Sequence, residues 1–353
     1  MTVQNDLFLR AATGQITTGE VPIWLMRQAG RYLSEYNQVR SRVGTFMDLC
    51  FNPELLTEVT LQPIKRFSLD AAVIFSDILL VPHAMNMGLD FVDHVGPVFD
   101  KPISGEKDID ALDVASVSEF LRPVYEGIEC CKKELGNSIP LIGFVGSPFT
   151  LACYMLEGKS SSDFMSAKKF RYSFPKLFFR LLDMISEAVE VHLLAQIKSG
   201  VDTMMIFDSC AGILSTHDYL TFSLPFIQRL IESVKSSSPN VPVIVFAKGG
   251  GGWLESIALS GCDVISLDWT VDLVSACERL RNFSCAIQGN LDPLSLLGSP
   301  DGITSELIRI VKAVKNKVPY IFNLGHGIHR LTPVENVDFL VRKVRELFFL
   351  YDL

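Results

Sequence analysis

Two arginines, Arg27 and Arg31, directly follow a short apolar run at residues 22–26. The residues between them are Gln28, Ala29 and Gly30. The glycine allows a tight turn that aims both guanidinium groups at one place. Arginine holds carboxylates and phosphates by two parallel hydrogen bonds. The pair therefore predicts a binding site for an anionic ligand, and the alternative is a surface turn with two solvated side chains.

A single carboxylate stands between two apolar segments, because Asp77 follows residues 71–75 and precedes residues 78–81. Burying a carboxylate there is costly unless something donates hydrogen bonds to it. One interpretation is that Asp77 caps the next helix. The other is that it accepts hydrogen bonds from ligand N–H groups, or stabilises a positive charge that develops during a reaction.

Three further polar residues follow apolar runs. His326 lies between two glycines, which would let backbone approach a ligand and turn the imidazole into a binding site. Ser209 has no adjacent histidine and no GxSxG elbow, so we expect it to hydrogen-bond a ligand without acting as a nucleophile. Lys248 precedes four glycines but lacks the residue order of a nucleotide-binding P-loop, and the glycines indicate a crowded turn.

The elements that would position these residues recur along the whole chain. Apolar runs of the kind found in parallel strands alternate with stretches of helical periodicity, such as residues 178–195. A second helix is predicted to begin near Asn52, which can cap it. The eight apolar runs are residues 22–26, 71–75, 140–145, 203–207, 241–246, 263–267, 285–287 and 320–324.

Eight strand–helix units predict an α/β fold, a (β/α)8 TIM barrel that forms one domain over residues 1–353. Residues 100–115 are expected to be a loop-rich insertion between the second and third strands. A doubly wound open sheet would need a glycine-rich dinucleotide turn after its first strand, where this chain has the two arginines. Polar side chains follow every run, and barrel enzymes carry their chemistry at these strand ends. The pattern therefore predicts an enzyme.

The amino-acid composition limits the classes of molecule that the protein could bind and the compartment in which it could work. The 353 residues are 48% hydrophobic and carry a net charge of −8 without long runs of one sign, which argues against nucleic acid and against an anionic membrane surface. No run has the length of a membrane span, and the first residues lack the pattern of a secretory leader. The eight cysteines are scattered without a CxxC pair, so we expect reduced thiols and a cytoplasmic location.

These residues lie in longer blocks that resemble the uroporphyrinogen decarboxylase family over essentially the whole chain. The blocks are Met26-Arg27-Gln28-Ala29-Gly30-Arg31-Tyr32-Leu33, Phe75-Ser76-Asp77-Ile78, Leu267-Asp268-Trp269-Thr270, Gln288-Gly289-Asn290-Leu291-Asp292-Pro293 and Asn323-Leu324-Gly325-His326-Gly327. The resemblance implies a barrel homodimer that needs no cofactor and no metal. It also implies removal of carbon dioxide from the four acetate arms of uroporphyrinogen III, which gives coproporphyrinogen III.

The resemblance also implies roles for single residues. Asp77 would accept hydrogen bonds from the pyrrole N–H groups and stabilise the cation formed when a pyrrole carbon is protonated. Arg27 and Arg31 would bind substrate carboxylates, and one of them would take part in proton delivery. The residues expected to contact substrate are Arg27, Gln28, Ala29, Gly30, Arg31, Phe46, Asp77, Tyr154, Ser209 and His326.

Two other functions compete with this interpretation. A corrinoid-linked methyltransferase of similar fold would use zinc, held by a His-x-Cys pair after the fifth strand, where this chain has Phe246-Ala247-Lys248. A non-catalytic tetrapyrrole-binding protein would use the same pocket without turnover. Several positions depart from the family pattern: Ser34 stands where proline is usual, Asn37 replaces a frequent arginine, and Cys210 stands where a larger aromatic residue or histidine is common. Residues 328–331, after the histidine block, are variable as well.

Overall fold

The apolar runs form the strands of a curled parallel sheet in the computed structural model, which describes residues 3–17, 19–92, 95–315 and 317–350. The sheet order is β1-β4-β5-β6-β7-β8-β9, and every neighbouring pair in it is parallel. A separate antiparallel hairpin consists of β2 and β3. The strands are β1 (Ala72–Val73), β2 (Leu89–Val92), β3 (Gly96–Phe99), β4 (Leu141–Gly146), β5 (Thr203–Asp208), β6 (Val243–Ala247), β7 (Val264–Ser266), β8 (Ala286–Gln288) and β9 (Tyr320–Ile321).

The first predicted strand lies between the two ends of this sheet. Ile23 forms a parallel bridge with Phe322, and the Asp70 N–H donates to the Ile23 carbonyl at 2.9 Å. The Ile23 N–H donates to a carboxylate oxygen of Asp70 at 2.8 Å, so a side chain replaces one bond of the ladder. Residues 22–26 therefore close the barrel through a bridge and single hydrogen bonds, without forming a regular strand. The (β/α)8 architecture predicted from the sequence is confirmed.

Helices surround the sheet. They are α1 (Leu7–Ala12), α2 (Ser34–Arg42), α3 (Phe46–Cys50), α4 (Pro53–Phe67), α5 (Leu80–Pro82), α6 (Glu106–Asp110), α7 (Val117–Phe120), α8 (Arg122–Leu135), α9 (Pro148–Glu157), α10 (Met165–Ser173), α11 (Pro175–Lys198), α12 (Thr216–Phe222), α13 (Leu224–Ser237), α14 (Leu254–Ala258), α15 (Leu273–Leu280), α16 (Pro300–Val314) and α17 (Val334–Leu350). Shorter 3-10 turns span Ala211–Ile213, Gly250–Trp253 and Pro293–Leu297, and a π turn spans His83–Met87.

Both helices singled out from the sequence are present. α11 contains the whole of the periodic stretch 178–195, and the apolar residues of that stretch face the core. The side chain of Asn52 accepts a hydrogen bond from the Leu55 N–H at 3.0 Å and caps α4, whose first residue is proline. Local sequence signals thus set these two elements correctly.

The core has two layers, as expected for a filled barrel. The inner layer contains side chains that point into the barrel, and α1 covers it from one end with Phe8 and Ala11. Members of this layer that come from the sheet and its closing segment include Trp24, Ile142, Met205, Ile244, Val264, Ala286 and Ile321. The outer layer packs the surrounding helices against the other face of the strands. The barrel is therefore a packed core, and ligand chemistry is confined to its ends.

The insertion between the second and third strands of the barrel is more ordered than expected. Residues 100–115 contain the short helix α6, and the hairpin of β2 and β3 precedes them. The hairpin was not predicted from the sequence, and Asp93 and His94, which follow β2 in the chain, lie outside the described residues. Phe91 on β2 packs against Phe46, with 4.4 Å between their ring centroids.

The structure bears on two predictions from the sequence: that the chain has no membrane span, and that its cysteines are reduced thiols. None of the helices in the described ranges is both long and apolar enough to cross a membrane. All eight cysteines are free, and seven of them are buried, so their scattered spacing reflects packing positions. The first residues, Met1 and Thr2, on which the leader prediction partly rests, lie outside the described residues.

A buried histidine outside the mouth should make folding sensitive to acid. His192 on α11 is 3% exposed, its Nδ1 is 3.0 Å from the Tyr125 hydroxyl, and burial lowers its pKa from 6.5 to about 3. Between pH 6.5 and about pH 3, His192 is protonated in the unfolded chain but stays neutral in the folded protein. The free energy of unfolding should therefore fall as the pH drops below about 6.5, by up to about 1.4 kcal/mol per pH unit.

Urea unfolding at pH 7.5, 6.0 and 5.0 measures this loss. His192→Gln keeps a hydrogen-bonding side chain but does not titrate, so its stability should fall less steeply over the same interval. Carboxylates titrate alike in both proteins and cancel in the comparison. Parallel pH dependences in wild type and variant would contradict the assignment.

Candidate active site

The candidate catalytic and binding side chains predicted from the sequence lie at one end of the barrel. Arg27, Asp77, Ser209 and His326 each follow a segment of the closed sheet, at the edge where all the parallel strands end. Because these strands run in the same direction, their carboxyl ends form one rim. We call this rim, together with the loops that follow the strands, the mouth.

The turn that carries the arginines is built around Gln28, which is fully buried. Its Oε1 accepts from the Leu25 N–H at 3.1 Å, and its Nε2 donates to the Ala71 carbonyl at 3.2 Å. The Tyr32 hydroxyl donates to the Gln28 carbonyl at 2.7 Å. The Gln28 side chain is therefore occupied with backbone, and its predicted contribution to substrate binding would come through the shape of this turn.

The same turn leaves both guanidinium groups free. Arg27 and Arg31 are exposed, and neither forms an ion pair within the described ranges. Ala29 and Gly30 are partly exposed between them. Asn37, one of the departures from the family pattern, donates from Nδ2 to the Arg31 carbonyl at 3.0 Å and so supports the turn. Two unpaired cations on a fixed turn are suited to binding an anionic ligand.

The position of Arg27 depends on the glycine that follows His326. Arg27 has a φ of +58°, a left-handed conformation that is uncommon for a residue with a side chain. Its side chain then lies directly over Gly327, where an added Cβ would overlap the Arg27 Cγ, Cδ and Nε. Two of the sequence blocks, residues 26–33 and residues 323–327, therefore meet where Arg27 contacts Gly327.

Gly327→Ala should displace the Arg27 side chain from its place in the mouth. We expect a loss of at least about tenfold in kcat/KM, which is the scale of one weakened charge-assisted hydrogen bond. The thermal midpoint should change little, because Arg27 is exposed and forms no ion pair within the described ranges. Gly252→Ala is the matched control, since nothing lies within 4 Å of a Cβ at that rim position. Equal kcat/KM values for both variants would contradict the steric role of Gly327.

Asp77 stabilises the turn before α5 but does not cap that helix, whose N-cap residue is Leu79. Its Oδ1 accepts the Leu79 N–H at 2.8 Å and fixes the turn that leads into α5. In the described part of the chain no hydrogen bond reaches its other oxygen, Oδ2. The side chain keeps partial exposure to the mouth. One oxygen therefore holds the turn, and the other is available to a ligand.

The surroundings of Asp77 shift its proton affinity. Burial among protein atoms raises the pKa of its carboxyl, while the Leu79 N–H and the positive charge of Arg27 counteract part of that rise. The carboxylate is thus held in a poorly solvated place by one hydrogen bond and one nearby cation. A group in this state interacts strongly with a new positive charge, because little water screens it.

Tyr154 lies on α9 beside this carboxylate. Burial raises the pKa of its phenol to about 12, and the charges of Asp77 and Arg27 both act on it. The phenol is therefore protonated at neutral pH and can donate a hydrogen bond. Its ring packs edge-on against Phe164, with 5.1 Å between ring centroids. The predicted contact residue Tyr154 is thus close to the charged centre of the mouth.

Four aromatic rings form a cluster that we call the aromatic wall, and they belong to Tyr36, Phe46, Phe75 and Phe91. Phe46 is partly exposed, and its ring centroid lies 4.4 Å from that of Phe91 and 5.6 Å from that of Phe75. Tyr36 extends this cluster, with 5.7 Å between its ring and that of Phe75. The structure therefore gives Phe46 a place where a flat, apolar ligand surface could pack.

His326 is a neutral side chain in this site. Burial, Arg27 and Lys248 lower the pKa of its imidazole from 6.5 to about 4, and Asp268 opposes them. The ring packs against Phe246 and Trp269, with centroid distances of 5.9 and 6.3 Å. At neutral pH it can donate or accept a hydrogen bond but adds no charge.

Two of the polar strand ends serve as supports. Asp208, which ends β5, is fully buried and accepts from the hydroxyls of Ser147, Thr150 and Ser223 at 2.7, 2.8 and 2.5 Å. Ser147 also caps α9, so its side chain is used twice within the fold. The partly exposed Ser209 follows Asp208 directly and is held at the rim by this network.

Other polar residues at the strand ends form hydrogen bonds within the protein. Gln288 is fully buried, and its amide accepts from the Trp24 indole at 2.8 Å and donates to Ser266 at 2.9 Å. Asn290 donates to the Asp268 and Val271 carbonyls, both at 2.8 Å. Polar residues at strand ends therefore include side chains that open to the mouth and side chains that bond within the protein, and only the structure separates the two.

The sequence did not single out every residue of the mouth. Phe75 and Phe91 belong to the aromatic wall, and Trp269 is 38% exposed beside His326. Phe75 and Trp269 follow strands within the quoted blocks, which was a usable signal. Phe91 had no signal of this kind because its hairpin was not predicted. Within the described ranges, no three His, Cys, Asp or Glu side chains form a group that could hold a metal ion.

This barrel, with an isolated carboxylate and unpaired arginines at the carboxyl ends of its strands, defines a TIM-barrel enzyme of the kind that acts on an anionic ligand. The family model described as "Uroporphyrinogen decarboxylase (URO-D)" matches residues 3–347. The chain belongs to the uroporphyrinogen decarboxylase family, as the sequence blocks had predicted.

Individual relatives support the same assignment. The chain is 47% identical over 344 residues to a uroporphyrinogen decarboxylase of Nitrosomonas europaea, covering 97% of this chain and 96% of the relative. It is 48% identical over 347 residues to that of Nitrosospira multiformis, covering 98% and 94%. A methyltransferase from Methanosarcina mazei has a similar fold, with a TM-score of 0.78 and 21% identity over 99% of this chain and 100% of that one.

Proposed function

We propose that this enzyme decarboxylates the four acetate side chains of uroporphyrinogen III to methyl groups, giving coproporphyrinogen III and four molecules of carbon dioxide in haem and tetrapyrrole biosynthesis. The observation that carries the proposal is the placement of Asp77, with one oxygen available in the mouth near Arg27. Membership of the decarboxylase family supports it.

The chemistry requires an electron sink and no external redox partner. Protonation of an electron-rich pyrrole carbon creates a cation, and the C–C bond to the acetate carboxylate then releases carbon dioxide while its electron pair flows into the ring. A second proton converts the resulting methylene carbon to a methyl group, and loss of the first proton restores the pyrrole. Each acetate thus exchanges carbon dioxide for a proton.

Asp77 is suited to the step in which positive charge appears. Its available oxygen would accept the pyrrole N–H groups, and its poorly solvated negative charge would stabilise the cation more than the neutral substrate. Because the Leu79 N–H already fixes the carboxylate, little reorganisation is needed when the charge develops.

The arginines offset the charge of the substrate. Uroporphyrinogen carries carboxylates on every ring, whereas the chain itself has a net charge of −8. Arg27 and Arg31 would bind those carboxylates and bring the reacting ring over Asp77. A guanidinium is a weak acid, with a pKa above about 12, so in the predicted proton delivery an arginine would orient the donor.

The remaining predicted contacts would surround the macrocycle. Phe46 would pack against a pyrrole face, and Tyr154, Ser209 and His326 would hydrogen-bond the substrate rim. Gln28, Ala29 and Gly30 would contribute through the turn that presents the arginines. A neutral His326 fits this role, since its pKa of about 4 leaves it uncharged at neutral pH.

We also propose that the protein works as a cytoplasmic homodimer without a cofactor or metal. The family resemblance supports the dimer and the cofactor independence, and the free cysteines are compatible with a reducing compartment. Light scattering of the purified protein would give the oligomeric state, and full activity after chelator treatment would support metal independence.

The decisive experiment is an anaerobic assay with uroporphyrinogen III in which products are separated by the number of carboxylates that remain. Stepwise appearance of seven-, six-, five- and four-carboxylate porphyrinogens supports the proposal. Tight binding without loss of carboxylates, in protein shown to be folded, would favour a tetrapyrrole carrier. The methyltransferase alternative is not favoured, because β6 ends in Ala247 and is followed by Lys248, neither of which binds zinc.

A further inference from the structure

Lys248 is the feature of the mouth that the roles assigned above leave unused. It follows β6 and is exposed, and within the described ranges it forms no ion pair. Its Nζ lies 5.9 Å from the centroid of the Trp269 ring, within the range of a cation–π contact. An unpaired lysine held over an aromatic face beside His326 needs a physical explanation.

The backbone around Lys248 is fixed from both sides. The Lys248 N–H donates to the Asp208 carbonyl at 3.1 Å, and the Gly249 N–H donates to the buried Asp268 carboxylate. Gly249 has a φ of +74°, and a Cβ there would lie 2.9 Å from the Gly212 Cα. Gly249, Gly250 and Gly251 therefore form the crowded turn that the sequence indicated, and that turn holds the lysine at the rim.

In the described part of the chain, the buried carboxylate of Asp268 forms no ion pair with the Lys248 ammonium group. Asp268 is 1% exposed, and its Oδ1 accepts from both the N–H and the hydroxyl of Thr270, at 2.7 and 2.5 Å. Its Oδ2 accepts from Gly249. Both oxygens are thus used to shape the loops after β6 and β7. The positive charge of Lys248 remains available to a ligand.

The barrel places this charge across from the arginines. Counted from the closing segment at residues 22–26, β6 is the fifth of the eight segments that form the barrel. Lys248 and Arg27 therefore follow segments on opposite sides of the closed sheet. The positive charges of Arg27 and Lys248 both lower the pKa of His326, which follows β9. The mouth therefore presents cations on two facing edges, with Asp77 on the rim between them.

We infer that Lys248 binds a carboxylate on the edge of the substrate that lies opposite the edge held by Arg27 and Arg31. This inference rests on the proposed function, in which the substrate is a flat macrocycle with carboxylates around its whole circumference. Two facing cationic edges would hold such a ring level over Asp77. A lysine suits the distal edge, because its flexible stem can follow a carboxylate on a mobile side chain.

The test compares three variants of the full-length protein in initial-rate assays with uroporphyrinogen III at low ionic strength. Lys248→Met removes the charge and keeps the stem, Lys248→Arg restores a charge, and Lys133→Met is the matched control. Lys133 is an exposed lysine in the last turn of α8, which leads into β4, so it lies at the end of the barrel where the strands begin.

We expect Lys248→Met to raise KM at least about tenfold, the scale of one charge-assisted hydrogen bond, and to change kcat less than about threefold. Lys248→Arg should recover most of the affinity, and Lys133→Met should match wild type. The rise of KM with added salt should also be weaker in Lys248→Met than in wild type, because one screened attraction is gone.

A KM for Lys248→Met within about twofold of wild type would overturn the inference, and so would failure of Lys248→Arg to recover affinity. Wild-type turnover in the same experiment tests the proposed function separately. If wild type releases no carbon dioxide, the proposed function fails. The charge of Lys248 is then judged by fluorescence titration with uroporphyrin, the oxidised octacarboxylate, for which the same order of affinities is expected.

Discussion

Asp77→Asn should lower kcat by about 10²- to 10³-fold, a loss of about 2.7–4 kcal/mol of transition-state stabilisation. The amide oxygen can still accept the Leu79 N–H, so the turn should persist. Only the negative charge disappears, and that charge is what opposes the cation in the proposed reaction. Affinity for uroporphyrin, which carries the same carboxylates but does not react, should change much less than kcat.

The control for this prediction is a second aspartate with the same local geometry. Asp292 accepts the N–H of Leu294 through Oδ1 at 2.9 Å, two residues along the chain, as Asp77 does with Leu79. Asp292→Asn should therefore reproduce any effect of removing a charge from such a turn. Near-normal kcat for Asp77→Asn, or an equal loss in the two variants, would contradict the proposed role of Asp77.

The barrel could be predicted from the sequence because its strands are covered on both faces. Such strands are continuous apolar runs, and their number gave the eight staves directly. The run at residues 22–26 was placed correctly but lacks regular strand pairing, since Asp70 supplies one of its bonds. A carboxylate from the loop before β1 leaves no trace in the pattern of the run itself.

The site was harder to predict because the polar residues near the strand ends have two different roles: some face the mouth, and others form hydrogen bonds inside the protein. Arg27 and Asp77 open to the mouth, whereas Asp208 and Gln288 are fully buried and bond within the protein. In the sequence all four are polar residues at or just after the end of an apolar run. Whether such a residue meets a ligand depends on the direction of one side chain, which neither spacing nor composition reports.

Lys248 shows the opposite error. Its glycines lack the residue order of a nucleotide-binding loop, and their pattern assigns no role to the lysine. The structure explains the glycines by the close approach of Gly249 to Gly212, which leaves the lysine to be explained on its own. A motif can thus be correctly rejected while one of its residues still lies exposed at the candidate site.

The pH dependence of two arginine variants separates electrostatic from purely binding roles in the mouth. Arg27 lowers the pKa of the Asp77 carboxyl, which burial otherwise raises. If the Asp77 anion is required, kcat/KM falls when the pH drops through that pKa. Arg27→Gln should therefore move the acid limb of the kcat/KM profile to higher pH, in addition to raising KM.

Arg31→Gln is the matched variant. It removes an equivalent exposed guanidinium from the same turn, and the groups that shift the pKa of Asp77 include Arg27 but not Arg31. We expect it to raise KM by about tenfold or more, the scale of a lost charge-assisted bond, while its acid limb stays with that of wild type. The substrate carboxylates titrate identically in all three profiles, so a displacement confined to Arg27→Gln reports the enzyme. Acid limbs that coincide in both variants would mean that Arg27 acts on the substrate alone.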